Sequence, residues 1–223
     1  MATTRNAAQG ILADDNTEDR EKIIELLTKG YWMEIETVMS YIANSVNPDG
    51  VRAQEIIESL NADIMAEANA AKRLQIVDLL ERAYWMEIET VMSYIANSVN
   101  PDGVRAQEIK ESLAEDVQEE LGHAQRFAQR IKELYGVVPG SLEFKSEQGY
   151  LQPPADQVDI VHVIRGVIEA ETGAIEHYTR IVEETEGVDP VTQDMVIAIL
   201  HDEQGHKRLF EGFLREYEAQ GLA

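Results

Sequence analysis

Two short motifs place a carboxylate and an imidazole at a spacing that can bind a metal ion. Each reads Glu-x-x-His, and the four residues are Glu120, His123, Glu203 and His206. Residues three apart in a helix lie on the same face, and apolar residues recur at helical spacing around both motifs, so this face should point into the core. A buried carboxylate is costly unless it is paired, protonated or bound to metal. The two motifs therefore predict a shared metal site.

Two more glutamates, Glu87 and Glu171, lie on the apolar stripes of other predicted helices. Each is followed two helical turns later by a tyrosine on the same face, Tyr94 or Tyr178. Four carboxylates and two imidazoles would then meet in one core, and Tyr94 is predicted to act catalytically beside them. The predicted metal ligands are Glu87, Glu120, His123, Glu171, Glu203 and His206. Four carboxylates neutralise two divalent ions, and mixed oxygen and nitrogen ligands favour two iron ions, with manganese or zinc as alternatives.

The elements that carry these residues are predicted to be helices. Long runs of helix-forming residues lie between a few glycines and prolines, and no strand-like alternation interrupts them, which indicates an all-α protein. The predicted helices span residues 17–46, 51–99, 104–135, 158–184 and 190–219. The stretch 51–99 contains no glycine or proline, so it predicts one long continuous helix. The segment 136–157 is typical of the single long crossover between the second and third helices of a four-helix bundle.

The chain also contains an internal repeat. The segment Tyr31–Ile56 recurs letter for letter as Tyr84–Ile109, and its flanks match more weakly. An identical core with diverged flanks is typical of an engineered or very recent duplication, here of a helical hairpin. The predicted organisation is a flexible tail at 1–16, a duplicated hairpin extension at 17–73 and a four-helix bundle at 74–223. The extra hairpin would join the bundle through the long continuous helix.

The two copies of the hairpin differ in their predicted ligands. The first copy has Glu34 at the position of Glu87 and Glu67 at the position of Glu120, but it has Ala70 where the second copy has His123. The second copy is therefore predicted to build the site, with Glu34 as an alternative first-helix ligand. Glu34 and Glu67 could form a second, purely acidic site.

Composition excludes several classes of function. The net charge of −23 disfavours nucleic acid and anionic membranes as partners. No apolar run approaches the roughly 20 residues of a membrane span. The chain has no cysteine, which excludes disulfides and thiolate metal sites and fits a reducing compartment. We expect a cytoplasmic protein.

At this point the chain resembles the ferritin-like superfamily, and bacterioferritins in particular. Residues 194–206 resemble the fourth helix of that family, and Glu120–Ala124 with Glu133–Gly136 resembles the second. The resemblance implies that Glu120 and Glu203 bridge two metal ions, with Glu87 and Glu171 as terminal ligands and one histidine on each metal. It also implies oxidation of Fe(II) by O2 or peroxide for iron storage or detoxification in a hollow homo-oligomer. Leu121 replaces the haem-ligating methionine of bacterioferritins, so no haem is expected.

Two other functions remain open at this level. The same bundle could be a non-storage di-metal peroxidase or oxygenase, which turns over without accumulating mineral. Alternatively, the chain could be an engineered assembly scaffold in which the duplicated hairpin drives association. The hairpin's apolar stripe needs a partner surface. We expect that partner to be the same hairpin of a second chain or, alternatively, the outer face of a neighbouring bundle.

Overall fold

The computed structural model describes the backbone of residues 17–46 and 62–223. The chain divides into two units, 1–41 and 42–223, and each is described by itself. Helix α1 (Thr17–Val46) contains the described part of the first unit. The predicted tail at 1–16 and the beginning of the predicted helix at 51–99 lie outside the described residues. Within the described ranges every regular element is helical, which confirms the all-α prediction, and no helix there is long and apolar enough to cross a membrane.

The second unit is a four-helix bundle with one long crossover, as predicted. A short helix α2 (Ala62–Met65) precedes the four long helices. These are α3 (Ala70–Val99), α4 (Ala106–Glu133), α5 (Ile160–Thr185) and α6 (Pro190–Ala219). Helix α3 packs along α4 and α5 packs along α6, while α3 also contacts α5. The core between them is closed by large side chains that are fully buried, among them Tyr94, Phe127, Tyr178 and Phe210.

Helix α6 begins where the sequence predicts. The Asp189 carboxylate accepts a hydrogen bond from the Thr192 backbone N–H at 3.0 Å, and Pro190 is the first helical residue. The Arg130 guanidinium of α4 donates to Asp189 at 2.8 Å and to the Thr192 hydroxyl at 2.7 Å. This buried network fixes the start of α6 against α4, and so fixes the position of the motif that follows on α6.

The crossover, residues 134–159, lies against the outside of α3 and α5. The Asn97 side-chain amide of α3 donates to the carbonyl oxygen of Leu151 at 2.8 Å, and Leu151 itself is buried. A Cβ atom added at Gly166 of α5 would lie 2.6 Å from the carbonyl oxygen of Tyr150. The absence of a side chain at Gly166 therefore permits the close approach of the crossover to α5.

The predicted continuous helix over 51–99 is wrong in its described part. The backbone is extended at Ala66, with φ −60° and ψ 144°, and a short 3-10 turn leads from there into α3. The break lets Ile64 be buried, at 1% exposure. It also lets the Arg73 guanidinium donate to the Ile64 carbonyl oxygen at 3.1 Å, which satisfies an acceptor that the end of α2 leaves open. Tertiary contacts thus override a sequence that has no helix-breaking residue.

Candidate dimetal centre

All six predicted ligands meet in the core of the bundle. Each of the four long helices contributes, and every ligand side chain is buried, with exposures from 1% for Glu120 and Glu203 to 9% for His206. They form two groups whose ligand atoms lie within 4.8 Å of one another. The first group is Glu87, Glu120, His123 and Glu203. The second group is Glu120, Glu171, Glu203 and His206.

Glu120 and Glu203 belong to both groups and present one oxygen to each. Glu120 Oε2 lies 3.3 Å from His123 Nδ1, and its Oε1 lies 3.3 Å from His206 Nδ1. Glu203 Oε1 lies 3.1 Å from His123 Nδ1, and its Oε2 lies 3.7 Å from His206 Nδ1. This is the arrangement of two carboxylates that can bridge a pair of ions.

These separations fit ligands around common ions. Two ligands about 2.1 Å from one divalent ion are about 3.0 Å apart at a right angle and about 3.6 Å apart at 120°. The nitrogen–oxygen distances given above fall in or close to that range. Three of the four separations exceed the usual N–H···O hydrogen-bond distance of about 2.7–3.2 Å. The side chains are therefore grouped around two central positions, where each imidazole lies next to both Glu120 and Glu203.

The polar atoms left over at these positions support this interpretation. Buried polar atoms normally have hydrogen-bond partners. Four of the ligands have buried atoms that lack such a partner, and these atoms are both oxygens of Glu120, Oε1 of Glu203 and the Nδ1 atoms of His123 and His206. All of these atoms face the central positions of the two groups. A pair of divalent cations would satisfy them, so the donor set present in this chain fits a dimetal group.

Two tyrosines hold the remaining carboxylates in a reciprocal arrangement. The Tyr94 hydroxyl of α3 donates to Glu171 of α5, and the Tyr178 hydroxyl of α5 donates to Glu87 of α3. Burial, and then the neighbouring Glu171, raises the pKa of Tyr94 well above its usual value, so its phenol stays protonated as a donor. The sequence placed each tyrosine on the face of its own helix's glutamate, but the tyrosine contacts the glutamate of the other helix.

The two histidines turn their outer nitrogens toward a second set of acids. His206 Nε2 lies 3.3 Å from Glu119 Oε2, and His123 Nε2 lies 3.5 Å from Asp202 Oδ2. Such contacts orient an imidazole and fix which nitrogen faces the metal. Neither acid was predicted from the sequence. Their signal is that each directly precedes the glutamate of a Glu-x-x-His motif.

In the absence of metal, raised pKa values favour the protonated forms of several groups in this centre. Burial, with the nearby Glu120 and Glu203, raises the pKa of Glu87 well above its usual value, and burial likewise raises that of Glu171. Burial alone would lower the pKa of His123, but its contacts with Glu120 and Glu203 outweigh this and raise it to about 9. Metal binding must therefore displace protons from this centre.

The crossover closes the centre on one side. Glu89 accepts hydrogen bonds from the backbone N–H of Glu147, at 2.8 and 3.0 Å, and from that of Gln148 at 2.8 Å. The Gln148 side chain is buried and donates to the Thr90 hydroxyl at 3.0 Å. Beneath it lies a void of about 10 Å³, lined by residues that include Glu87, Gln148 and Glu203. This role of Glu89 was not predicted from the sequence.

The two other predicted positions, Glu34 and Glu67, belong to neither group of candidate ligands. Glu34 and Glu67 are both exposed, and Glu67 lies in the 3-10 turn and not on a long helix. Their proposed acidic site stays a prediction. His177 is buried with its Nε2 atom 2.8 Å from the Leu79 carbonyl oxygen, which is a core contact and not a metal ligand.

The antiparallel bundle with its long crossover and its buried carboxylate–imidazole cluster has the architecture of ferritin-like proteins. The family model described as "Ferritin-like domain" matches residues 77–219. The chain therefore belongs to the ferritin-like family.

Two curated relatives agree with this assignment. A "DNA protection during starvation protein" from Pyrococcus furiosus is 31% identical over 145 residues, which cover 63% of this chain and 77% of that protein. A bacterioferritin from Desulfovibrio desulfuricans is 26% identical over 148 residues, which cover 66% of this chain and 78% of that protein.

Solved structures show the same fold. A structure of Desulfovibrio desulfuricans bacterioferritin, described with a diiron site, has a TM-score of 0.59 and 22% identity and covers 68% of this chain and 85% of that one. A dodecameric thioferritin from Bacteroides fragilis has a TM-score of 0.58 and 24% identity and covers 67% of this chain and 89% of that one. At family level, membership indicates iron storage or protection.

Proposed function

We propose that this chain is a di-iron ferroxidase, which binds two Fe(II) ions in the bundle core and oxidises them with O2 or peroxide. The observation that carries the proposal is the pair of ligand groups that share Glu120 and Glu203, with unpaired oxygen and nitrogen atoms facing both positions. Family membership and the bacterioferritin relative support the same chemistry. Manganese or zinc could bind the same ligands.

Each ligand has a distinct task in this proposal. Glu120 and Glu203 hold both ions at once, because each presents one oxygen to either group. His123 and His206 each complete one group through Nδ1. Glu87 and Glu171 are terminal ligands, and the phenols of Tyr178 and Tyr94 hold them in place. The preorganised shell means that little rearrangement is needed when ions bind.

The iron ions supply the electrons. Two Fe(II) ions give two electrons on oxidation to Fe(III), and these electrons with two protons reduce O2 to hydrogen peroxide, or hydrogen peroxide to water. The chain keeps bulk water out, because every ligand is buried and the Gln148 side chain closes the side toward the crossover. In the wider proposal the oxidised iron is stored or detoxified by a homo-oligomer, as the dodecameric relative suggests.

Anaerobic Fe(II) titration followed by stopped-flow oxidation tests the proposal. The wild-type chain should bind two Fe(II) ions and oxidise them rapidly. Glu171→Gln should bind fewer ions and slow the oxidation, since an amide oxygen is a neutral and weaker ligand. Glu169→Gln is the matched control, because Glu169 lies on the same helix and is exposed. Equal oxidation rates in the two variants would contradict the proposed site.

Iron retained per chain separates storage from the alternative function. A ferroxidase of storage type keeps many Fe(III) ions in a large particle, whereas a non-storage peroxidase or oxygenase turns over and keeps about two. Native mass measurement combined with iron analysis after aerobic loading distinguishes these results. Rapid oxidation without iron retention would favour the non-storage enzyme.

A further inference from the structure

Helix α1 exposes several apolar side chains whose counterparts on α3 are buried. Leu80, Tyr84 and Tyr94 of α3 are each 0% exposed, whereas Leu27 and Tyr41, the α1 counterparts of Leu80 and Tyr94, are 69% and 70% exposed. On the same side of α1 lie the exposed apolar side chains of Ile23, Ile24 and Val38, together with the half-buried Tyr31 and the exposed Glu34. We call this surface the α1 stripe, and its members are Ile23, Ile24, Leu27, Tyr31, Glu34, Val38 and Tyr41.

The contact between α3 and α5 shows which kind of helix the equivalent face of α3 packs against. Helix α3 contacts α5 through two reciprocal bonds, from Tyr94 to Glu171 and from Tyr178 to Glu87. Both helices carry a glutamate followed by a tyrosine two turns later, and the bonds connect the start of each motif with the end of the other. The two helices are therefore antiparallel, and each supplies the donor that the other's carboxylate needs.

The same motif is present in α1 as Glu34 and Tyr41. Two copies of a helix with this motif can pair with each other, because each copy supplies one glutamate acceptor and one tyrosine donor. Two-fold symmetry generates such a contact, in which one patch on one chain meets the same patch on the other. Within the bundle, the matching motif of α5 is already engaged with α3.

We propose that the α1 stripe is a self-association surface that pairs antiparallel with the α1 stripe of a second copy of this chain. In this pair Tyr41 of each chain donates to Glu34 of the other, as Tyr94 and Tyr178 do across the bundle. A partner of the α1 stripe needs both an apolar face and a phenol that can donate to Glu34. A second copy of this chain has both, because its α1 helix has the same sequence. The proposal does not depend on the ferroxidase function.

The symmetry predicts which residues meet. If Glu34 of one helix lies opposite Tyr41 of the other, the two-fold axis passes between Thr37 and Val38. Val38 lies on the stripe, so the two Val38 side chains should be near neighbours across the axis. The chain contains no cysteine, so a single introduced cysteine can be cross-linked without background.

Cross-linking of full-length variants with a short bis-maleimide tests this geometry. Val38→Cys should give covalent dimers in high yield. Glu25→Cys is the matched control, because Glu25 lies on the opposite face of α1, and it should give few dimers. Cross-linking through Glu25→Cys but not through Val38→Cys would overturn the proposal and place another face of α1 at the interface. The absence of dimers in both variants would overturn it as well.

A disruptive substitution gives a second, independent readout. Leu27→Asp added to Val38→Cys should reduce cross-linking at least tenfold, because it buries a charge in the paired stripe. Thr28→Asp adds the same charge one residue along, outside the stripe, and should leave cross-linking unchanged. Cross-linking that survives Leu27→Asp would refute the stripe as the interface. Anaerobic Fe(II) binding by each variant checks that the bundle is intact.

Discussion

Helices α1 and α3 contain the same sixteen-residue segment, Tyr31–Val46 and Tyr84–Val99, yet the two copies have different environments. Both are helical over this segment, so the local sequence is sufficient to determine the helix. In α3 the apolar face is buried against α4 and α5, whereas in α1 equivalent side chains such as Val38 and Tyr41 are exposed. Amphipathic patterning therefore determines that a face can be buried, and the partner helices determine whether it is.

The same difference applies to chemistry. Glu34 and Glu87 are the same residue in the same sequence, but Glu34 is exposed and Glu87 is 3% exposed beside other carboxylates. Only Glu87 has a tyrosine from another helix as a donor and an imidazole 3.7 Å from its Oε1 atom in the described structure. A carboxylate becomes a candidate ligand through what the fold brings next to it.

The largest predicted effect separates these two glutamates. We expect Glu87→Ala to slow Fe(II) oxidation by more than about 100-fold, since losing even a group that only orients a ligand costs about 10–100-fold. Glu34→Ala should leave the rate of oxidation unchanged. Stopped-flow measurements on the two variants compare them directly. The assignment to the second copy is wrong if Glu34→Ala abolishes oxidation and Glu87→Ala does not.

The two tryptophans allow metal binding to be measured separately in each copy. Trp85 of α3 packs against Tyr84 and Phe144, whereas Trp32 of α1 is 54% exposed. With Mn(II) at about 100 times its Kd, the gain of about 2.7 kcal/mol should raise the melting temperature of the bundle by about 5–10 °C. Fluorescence of the Trp32→Phe variant, which keeps Trp85, should report this shift. The Trp85→Phe variant should show a smaller metal response, and an equal response would contradict a site confined to the bundle.

The metal-free melting temperature and the shift caused by Mn(II) should change in opposite directions with pH. The pKa of His123 is raised to about 9 in the folded metal-free state, so its contribution to stability is complete below the unfolded value near ~6.5 and is lost as pH rises through 9. The raised pKa values of Glu87 and Glu171 act in the same direction, because the folded state holds their protons where the unfolded state has lost them.

Metal must displace these protons, so its stabilising effect should grow with pH. Between pH ~6.5 and ~8.5 we expect the metal-free melting temperature to fall and the shift caused by Mn(II) to increase. Thermal melts of the Trp32→Phe variant with and without Mn(II) measure both trends. A Mn(II) shift that stays constant with pH would argue against the histidines and buried carboxyls as ligands.

Much of the candidate site could be predicted from sequence because its candidate ligands follow helical periodicity. The two Glu-x-x-His motifs and the stripe positions of Glu87 and Glu171 place six groups on inward faces before any fold is known. Capping chemistry at Asp189 and Pro190 similarly predicts where α6 begins.

Other features depend on contacts that no local sequence pattern predicts. The break at Ala66 has no glycine or proline and follows from the burial of Ile64 and its bond with Arg73. The role of Glu89 requires the crossover to return to α3 at Glu147 and Gln148. Likewise, the tyrosine of each of α3 and α5 donates a hydrogen bond to the glutamate of the other helix. This pairing can be predicted only once the antiparallel packing of the two helices is known.

Glu89 and its repeat counterpart Glu36 provide a smaller effect on stability. Glu89→Ala removes the acceptor for two backbone N–H groups of the crossover and leaves them unsatisfied, which should cost about 2–3 kcal/mol. Glu36 is exposed, where even an ion pair contributes at most about 1 kcal/mol, so Glu36→Ala should lower the free energy of unfolding by less than Glu89→Ala does. Chemical denaturation followed through Trp85 fluorescence measures both. Similar losses in the two variants would mean that the contacts of Glu89 with the crossover contribute little.

The smallest predicted effect distinguishes the two tyrosines of the repeat. Tyr94→Phe removes the phenol donor to Glu171, and the loss of this buried hydrogen bond should cost about 1 kcal/mol in bundle stability. Tyr41→Phe removes an exposed hydroxyl and should leave the denaturation of the bundle unchanged. If α1 pairs with a second copy, however, Tyr41→Phe should weaken association, which dilution experiments on the Val38→Cys variant would detect as reduced cross-linking. Equal effects of the two substitutions on bundle stability would show that the environments of α1 and α3 are more alike than their exposures indicate.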